Sequence, residues 1–259
     1  MIVGYPDKTK GVRLLTAFCR GAGGRVSPEI PAQLPDGVEP VFYGVTDRTV
    51  HLWRQALAEG RDWFYMDNAY LDPCREHYFR VTRNRLQHTG EGDSNGARWR
   101  DVAQRFGITI RPQRTRGGHV LVCPQSDPFM ATVAGYRGHW VEDTVRTLRR
   151  YTDLPVRVRP WNGDKRAWYR SLPEDLAECW CLVTYSSASA ITALLAGVPA
   201  IVTAQDCISR PVADTELERV DTPAQRPALE PWLAVVADNQ WTVAEFEDGT
   251  AWRMLNAAA

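Results

Sequence analysis

The segment from Cys181 to Val202 constrains the fold more than any other part of this chain. It reads as a complete strand–helix–strand unit. Cys181 to Thr184 is a short apolar run of the buried-strand kind. Ala188 to Ala196 is rich in alanine and leucine, which favour helix. Gly197 supplies the stop, and Pro199 opens the next apolar strand, Ala200 to Thr203. Ser186, Ser187 and Ser189 stand where the first strand gives way to the helix. Hydroxyls and unpaired backbone N–H groups at such a turn suit an anion such as a diphosphate. A plain helix cap needs one hydroxyl, and three are present.

The same alternation runs through the rest of the chain. Strands are predicted at 1–5, 40–45 and 62–67, with helices between them at 10–20 and 49–59. Val12, Leu15 and Cys19 are predicted to face inward from the first helix, and Leu52, Ala56 and Leu57 from the second. Residues 76–87 read as a strand with a basic, polar face, 98–106 as a short helix and 108–110 as a short strand. After a linker at 112–118 the pattern restarts. Strands at 119–123 and 154–159 and a helix at 140–151, with Val141, Val145 and Leu148 inward, lead to a short helix at 172–178 and then to the serine unit. Residues 208–231 read as loop, and 232–237, 242–248 and 251–256 as helix. Strand–helix–strand order at this spacing means parallel sheets. The expected fold class is α/β, with domains at 1–116 and 117–232 and a helical tail at 233–259.

A chain of 259 residues with 44% hydrophobic and 24% charged residues is ordinary for a globular protein of one or two domains. The net charge of +0 excludes a global basic field, so any nucleic-acid role needs a local patch. One exists: ten arginines stand against four acids between Arg75 and Arg116, with Tyr78, Phe79 and Trp99 interleaved and Tyr70 just before them. Such a stretch suits phosphate-backbone binding, with Tyr70, Arg80, Arg83, Asn84 and Arg85 as the candidates, although a solvated charged face reads the same way. The six cysteines show no C-x-x-C spacing and read as buried, reduced thiols. No signal peptide is read at the N-terminus and no apolar run reaches the roughly 18 residues of a membrane span. A cytoplasmic protein without a membrane partner is expected.

The segment Val183-Thr-Tyr-Ser-Ser-Ala-Ser-Ala-Ile-Thr-Ala-Leu-Leu-Ala-Gly-Val-Pro resembles the donor-domain segment of GT-B glycosyltransferases and their capsular-polysaccharide relatives. Arg157-Val-Arg-Pro160 resembles the strand end that precedes it there, and Val120-Leu-Val-Cys-Pro-Gln-Ser126 the first strand of that domain. The resemblance covers the second half and implies two facing Rossmann-like domains with the tail packing back on the first. It implies a nucleotide-diphosphate sugar, a UDP-sugar, as co-substrate, with no other cofactor. Ser186, Ser187, Ser189, Arg159 and Lys165 would hold the diphosphate, and Gln125, Ser126 and Glu216 the ribose or base. Asp62-Trp-Phe-Tyr-Met-Asp-Asn-Ala-Tyr-Leu and Tyr78-Phe-Arg-Val-Thr-Arg-Asn resemble segments of small phage-type glycosyltransferases acting on hydroxymethylated bases in DNA. That implies a hydroxymethylated pyrimidine in DNA as acceptor. Sugar transfer to a hydroxyl needs a base within reach; Asp67, at the end of the third strand, is the first candidate and Asp47 its rival. No Asp-x-Asp motif or Cys/His metal spacing is present, so metal-independent transfer is expected. A glycan or lipid acceptor, a nucleotide-sugar epimerase, and a non-catalytic DNA- or nucleotide-sugar-binding module remain as alternatives.

Overall fold

The structure, a computed structural model, describes residues 1–7, 9–127, 129–136, 138–159 and 171–257. Lys165 lies outside the described residues. The chain divides into two compact units, 1–87 with 237–259, and 88–236.

The first unit holds a sheet of β1 (Ile2–Gly4), β2 (Arg25–Val26), β3 (Glu39–Tyr43), β4 (Phe64–Asn68) and β5 (Phe79–Arg83). Its order is β2-β1-β3-β4-β5, parallel except for β5, which pairs antiparallel with β4. The basic, polar face expected of β5 is not there: Phe79, Arg80, Val81 and Thr82 are all buried, because both faces of the strand are covered. Helices α1 (Thr9–Gly21) and α2 (Val50–Ala58) connect the strands. The apolar stripe of α1 runs through Leu14, Leu15, Phe18 and Cys19, out of phase with the expected Val12, which is 47% exposed. Leu57 of α2 is likewise exposed, while Leu52, Trp53 and Ala56 face inward. The chain's last helices, α8 (Val243–Glu247) and α9 (Thr250–Ala257), complete this core, where Trp241, Phe246 and Ala251 join Phe18, Phe64 and Phe79. Thr242 caps α8 in a reciprocal box with Glu245.

The second unit holds β6 (His119–Cys123), β7 (Val156–Val158), β8 (Cys179–Thr184) and β9 (Ala200–Val202) in the all-parallel order β7-β6-β8-β9. With them go α3 (Ala97–Phe106), α4 (Trp140–Leu148), α5 (Leu172–Asp175), α6 (Ser189–Leu195) and α7 (Leu229–Asp238), the last of which runs on past residue 236. From α4 it is Trp140, Thr144 and Leu148 that are buried, with Val141 and Val145 at the edge of the same core. Two short 3-10 turns, Arg210–Val212 and Leu217–Asp221, interrupt the expected loop.

Residues 88–116, placed by the sequence with the first half, group with the second unit. No strand forms at 108–110; the extended chain that follows is bound to α6 and its exit instead, through Arg111 N–H to the Leu195 carbonyl (2.9 Å) and Arg114 N–H to the Gly197 carbonyl (2.8 Å). The Arg114 guanidinium donates to the carbonyls of Leu176, Ala177 and Cys179. All six cysteines are free thiols, five buried and Cys74 exposed.

Candidate functional site

In the second unit β6 lies between β7 and β8, so the winding of the sheet reverses beside it. Ligands of open parallel sheets bind beyond the carboxyl ends of the strands at such a point. The loops that follow β6 and β8 meet there. Gln125 Oε1 accepts from the Ser186 N–H (3.2 Å) and the Ser186 hydroxyl (3.1 Å), and Ser186 is buried. Thr184 donates its hydroxyl to the Cys123 carbonyl at 2.6 Å and accepts from the Ser187 N–H at 3.4 Å. Half-buried Ser187 accepts from the Ser189 N–H at 3.2 Å. The Ser189 hydroxyl is buried beside the Cys123 thiol, which burial pushes up to about 12, so that the sulfur stays protonated at neutral pH. Ser126 caps the turn after β6, its hydroxyl accepting from Phe129 N–H and its carbonyl from Met130 N–H.

Gln125 and the three serines are thus brought together. The other donor-side candidates differ. α6 has seven residues, and its N-cap is Ala188 with no side-chain cap bond, so the hydroxyls and local amides matter more than a helix dipole. Arg159 follows β7 at the same edge, but its guanidinium is ion-paired with the buried Asp175 carboxylate. Glu216 is exposed and accepts from its neighbour Thr215. Sequence reasoning missed Trp140, which donates to the Thr203 hydroxyl at 3.2 Å, and Tyr185, whose ring meets Trp140 edge-on at 6.4 Å. Tyr185 and Thr203 each follow the last residue of a strand, and that position is the signal that marks them.

The first unit carries its own polar rim at the strand ends. Asp67 is ion-paired with Arg80 at 2.9 Å, takes the Asn68 N–H at 2.7 Å and the Tyr65 hydroxyl at 3.4 Å. Arg80 also donates to the Asn68 and Leu86 carbonyls and the Tyr70 hydroxyl, and its guanidinium lies 4.8 Å from the Tyr70 ring centre. Burial disfavours its charge, but Tyr70, Asp67 and Tyr65 outweigh burial and hold Arg80 above its ordinary value. Lys10 donates to Asn68 Oδ1 (2.8 Å) and the Arg75 carbonyl (2.7 Å), and Tyr43 donates to the same Asn68 oxygen at 3.3 Å. Burial, helped by Asp67, pushes the Tyr43 phenol up to about 12.

These bonds hold several of the expected DNA-contact residues within the first unit. Arg80 is buried and spent within its own unit, together with Tyr70. Arg83 pairs with Asp62 and donates to Asn256, and Asn84 sits at φ 56° in a turn, bonded to Asp62 and Trp63. Arg85 is exposed. Removing Arg80 should leave Asp67 without its ion partner. Breaking a buried pair costs about 3–5 kcal/mol, and the 35% exposure of the Asp67 side chain reduces this, so Arg80→Ala is expected to cost roughly 2 kcal/mol. Urea unfolding of the single variants and of Arg80→Ala with Asp67→Asn should show strong non-additivity.

No protein-family model matches the chain, and no curated protein sequence matches it. Two of the solved structures similar in fold are sugar transferases. One is the Thermosulfurimonas dismutans KpsC beta Kdo 2,7 transferase, at 13% identity and a TM-score of 0.55, covering 100% of this chain and 99% of that one. The other is the KpsC beta Kdo 2,4 transferase of the same organism, at 14% identity and a TM-score of 0.53, covering 91% and 90%. The shared fold is GT-B-like, the class that the serine segment implied. Neither neighbour is described as a DNA glycosyltransferase, and the narrower phage-type resemblance gains no support from them. Among the described residues no helix is long and apolar enough to cross a membrane, and no group of three or more His, Cys, Asp or Glu side chains is placed to hold a metal ion.

Proposed function

We propose that this protein transfers a sugar from a nucleotide-sugar donor to an acceptor hydroxyl. The observation that carries the reading is the pairing of Gln125 with Ser186 at the point where the second sheet reverses its winding. Similarity in fold to two sugar transferases supports it. On this reading the second unit binds the donor. Ser187 and its neighbouring amides receive the donor phosphates, Gln125 holds the serine turn in place, and Arg159, already shared with Asp175, lends positive charge to the leaving phosphate without a metal ion. The first unit binds the acceptor and supplies a carboxylate base.

The donor proposed is a UDP-sugar and the acceptor a hydroxymethylated pyrimidine in DNA, reached by flipping the base. The exposed Arg75 and Arg85 of the first unit support the DNA part of the reading. Titration of the protein with UDP and UDP-glucose by calorimetry tests the donor side. A hydrogen bond to a charged group contributes about 1.5–3 kcal/mol, so Ser187→Ala should weaken binding roughly tenfold or more. Unchanged affinity in Ser187→Ala and Gln125→Leu would remove the donor site from the serine turn.

A further inference from the structure

The order β2-β1-β3-β4-β5 places the reversal of the first sheet beside β1, between it and β3. The loops that meet there follow β1 and β3, and an ion pair joins them: Asp7 to Arg48, at 3.0 Å. The two partners differ in setting. The Asp7 side chain is 11% exposed, whereas that of Arg48 is 69% exposed. Ion pairs with so exposed a member are weak, so an incoming hydroxyl displaces Arg48 at little cost. Asp67 lies at the end of β4, one strand away from the reversal, and is held by a buried guanidinium, a backbone amide and a tyrosine hydroxyl. Asp47 shares the Arg48 loop but is exposed to water.

Resting on the glycosyl-transfer reading, we propose that Asp7, and not Asp67 or Asp47, is the carboxylate that takes the acceptor proton. The acceptor O–H proton passes to the Asp7 carboxylate as the acceptor oxygen bonds the anomeric carbon. The bond from that carbon to the donor phosphate breaks, and its electron pair stays on the phosphate oxygen. Asp7 is sheltered and lies in the loop beyond the carboxyl end of β1, where ligands of such sheets bind.

The test compares Asp7→Asn, Asp67→Asn and Arg48→Ala by transfer rate, UDP affinity and melting temperature, with UDP-sugars and hydroxymethylated duplex DNA as substrates. Loss of a general base costs about 10²–10⁴ in rate. Asp7→Asn should therefore lose roughly a hundredfold or more in kcat while UDP affinity and melting temperature stay near wild type. Arg48→Ala breaks the loop clasp but keeps the carboxylate, and should keep most of the rate. Asp67→Asn should lose stability more than rate. Near-normal turnover in Asp7→Asn overturns the assignment, as does an equal loss in Arg48→Ala, which would make the pair a structural clasp. Wild-type protein that neither binds UDP nor transfers sugar overturns the glycosyl-transfer reading, and this assignment with it.

Discussion

Gly197→Ala is expected to destabilise the second unit by about 3 kcal/mol or more, the sum of left-handed backbone strain and a steric clash. Gly197 ends α6 at φ +79°, and a Cβ placed there would stand 2.1 Å from the Pro112 carbonyl oxygen. Backbone does not yield as a flexible side chain does. The Gly197 carbonyl accepts from Arg114 N–H, so any shift also disturbs the segment that binds α6. Gly107 provides the control, with φ +62° and nothing within 4 Å of where a methyl group would stand. Gly107→Ala should cost only the conformational part, about 1–2 kcal/mol. Thermal unfolding distinguishes the two: at about 2–4 °C per kcal/mol for a chain of this size, Gly197→Ala should melt several degrees below Gly107→Ala. Equal melting temperatures would mean that Pro112 does not approach Gly197 this closely.

Trp241→Ala should cost about 3–5 kcal/mol, as large aromatic truncations in cores do. Trp241 is 1% exposed and packs beside Phe246 in the core that the C-terminal helices share with α1 and the first sheet. Its backbone pairs with Phe79 in both directions, at 2.7 and 2.8 Å, and those bonds survive the substitution. The loss is therefore one of packing. Its indole N–H is buried with no hydrogen-bond partner among the described residues, so Trp241→Phe removes an unsatisfied donor along with some volume. Trp241→Phe should consequently be much milder than Trp241→Ala, as measured by urea unfolding. A mild effect of Trp241→Ala would mean that the last 23 residues, 237–259, add little to the first unit.

Local sequence carried much of the fold because its signals are short-range. Gly197 and Pro199 bracket the end of α6, and strand–helix alternation implied parallel sheets in both units. What local pattern did not carry was partner choice. The arginines of 75–116 read as one basic face, yet Arg80 finds Asp67 thirteen residues away and Arg114 finds carbonyls more than sixty residues away. Hydrophobic phase in α1 is a further difference: Val12 fits a helical stripe by spacing, but the buried stripe is the one that Leu14, Leu15 and Phe18 form. At the candidate site the serines are visible because three hydroxyls crowd one turn. Gln125 is legible only through a resemblance, since its bond to Ser186 spans 61 residues. Asp7 carries no local signal, because the pair it makes with Arg48 depends on the order of strands in the sheet.

Mass spectrometry of hydroxymethylated DNA after incubation with a panel of nucleotide sugars tests the central claim most directly. The expected result is a product heavier by one sugar residue, with the free nucleotide released in equal amount, and loss of both in Ser187→Ala combined with Gln125→Leu. Product that forms undiminished in that double variant, or wild-type protein that releases no nucleotide from any sugar in the panel, would contradict it.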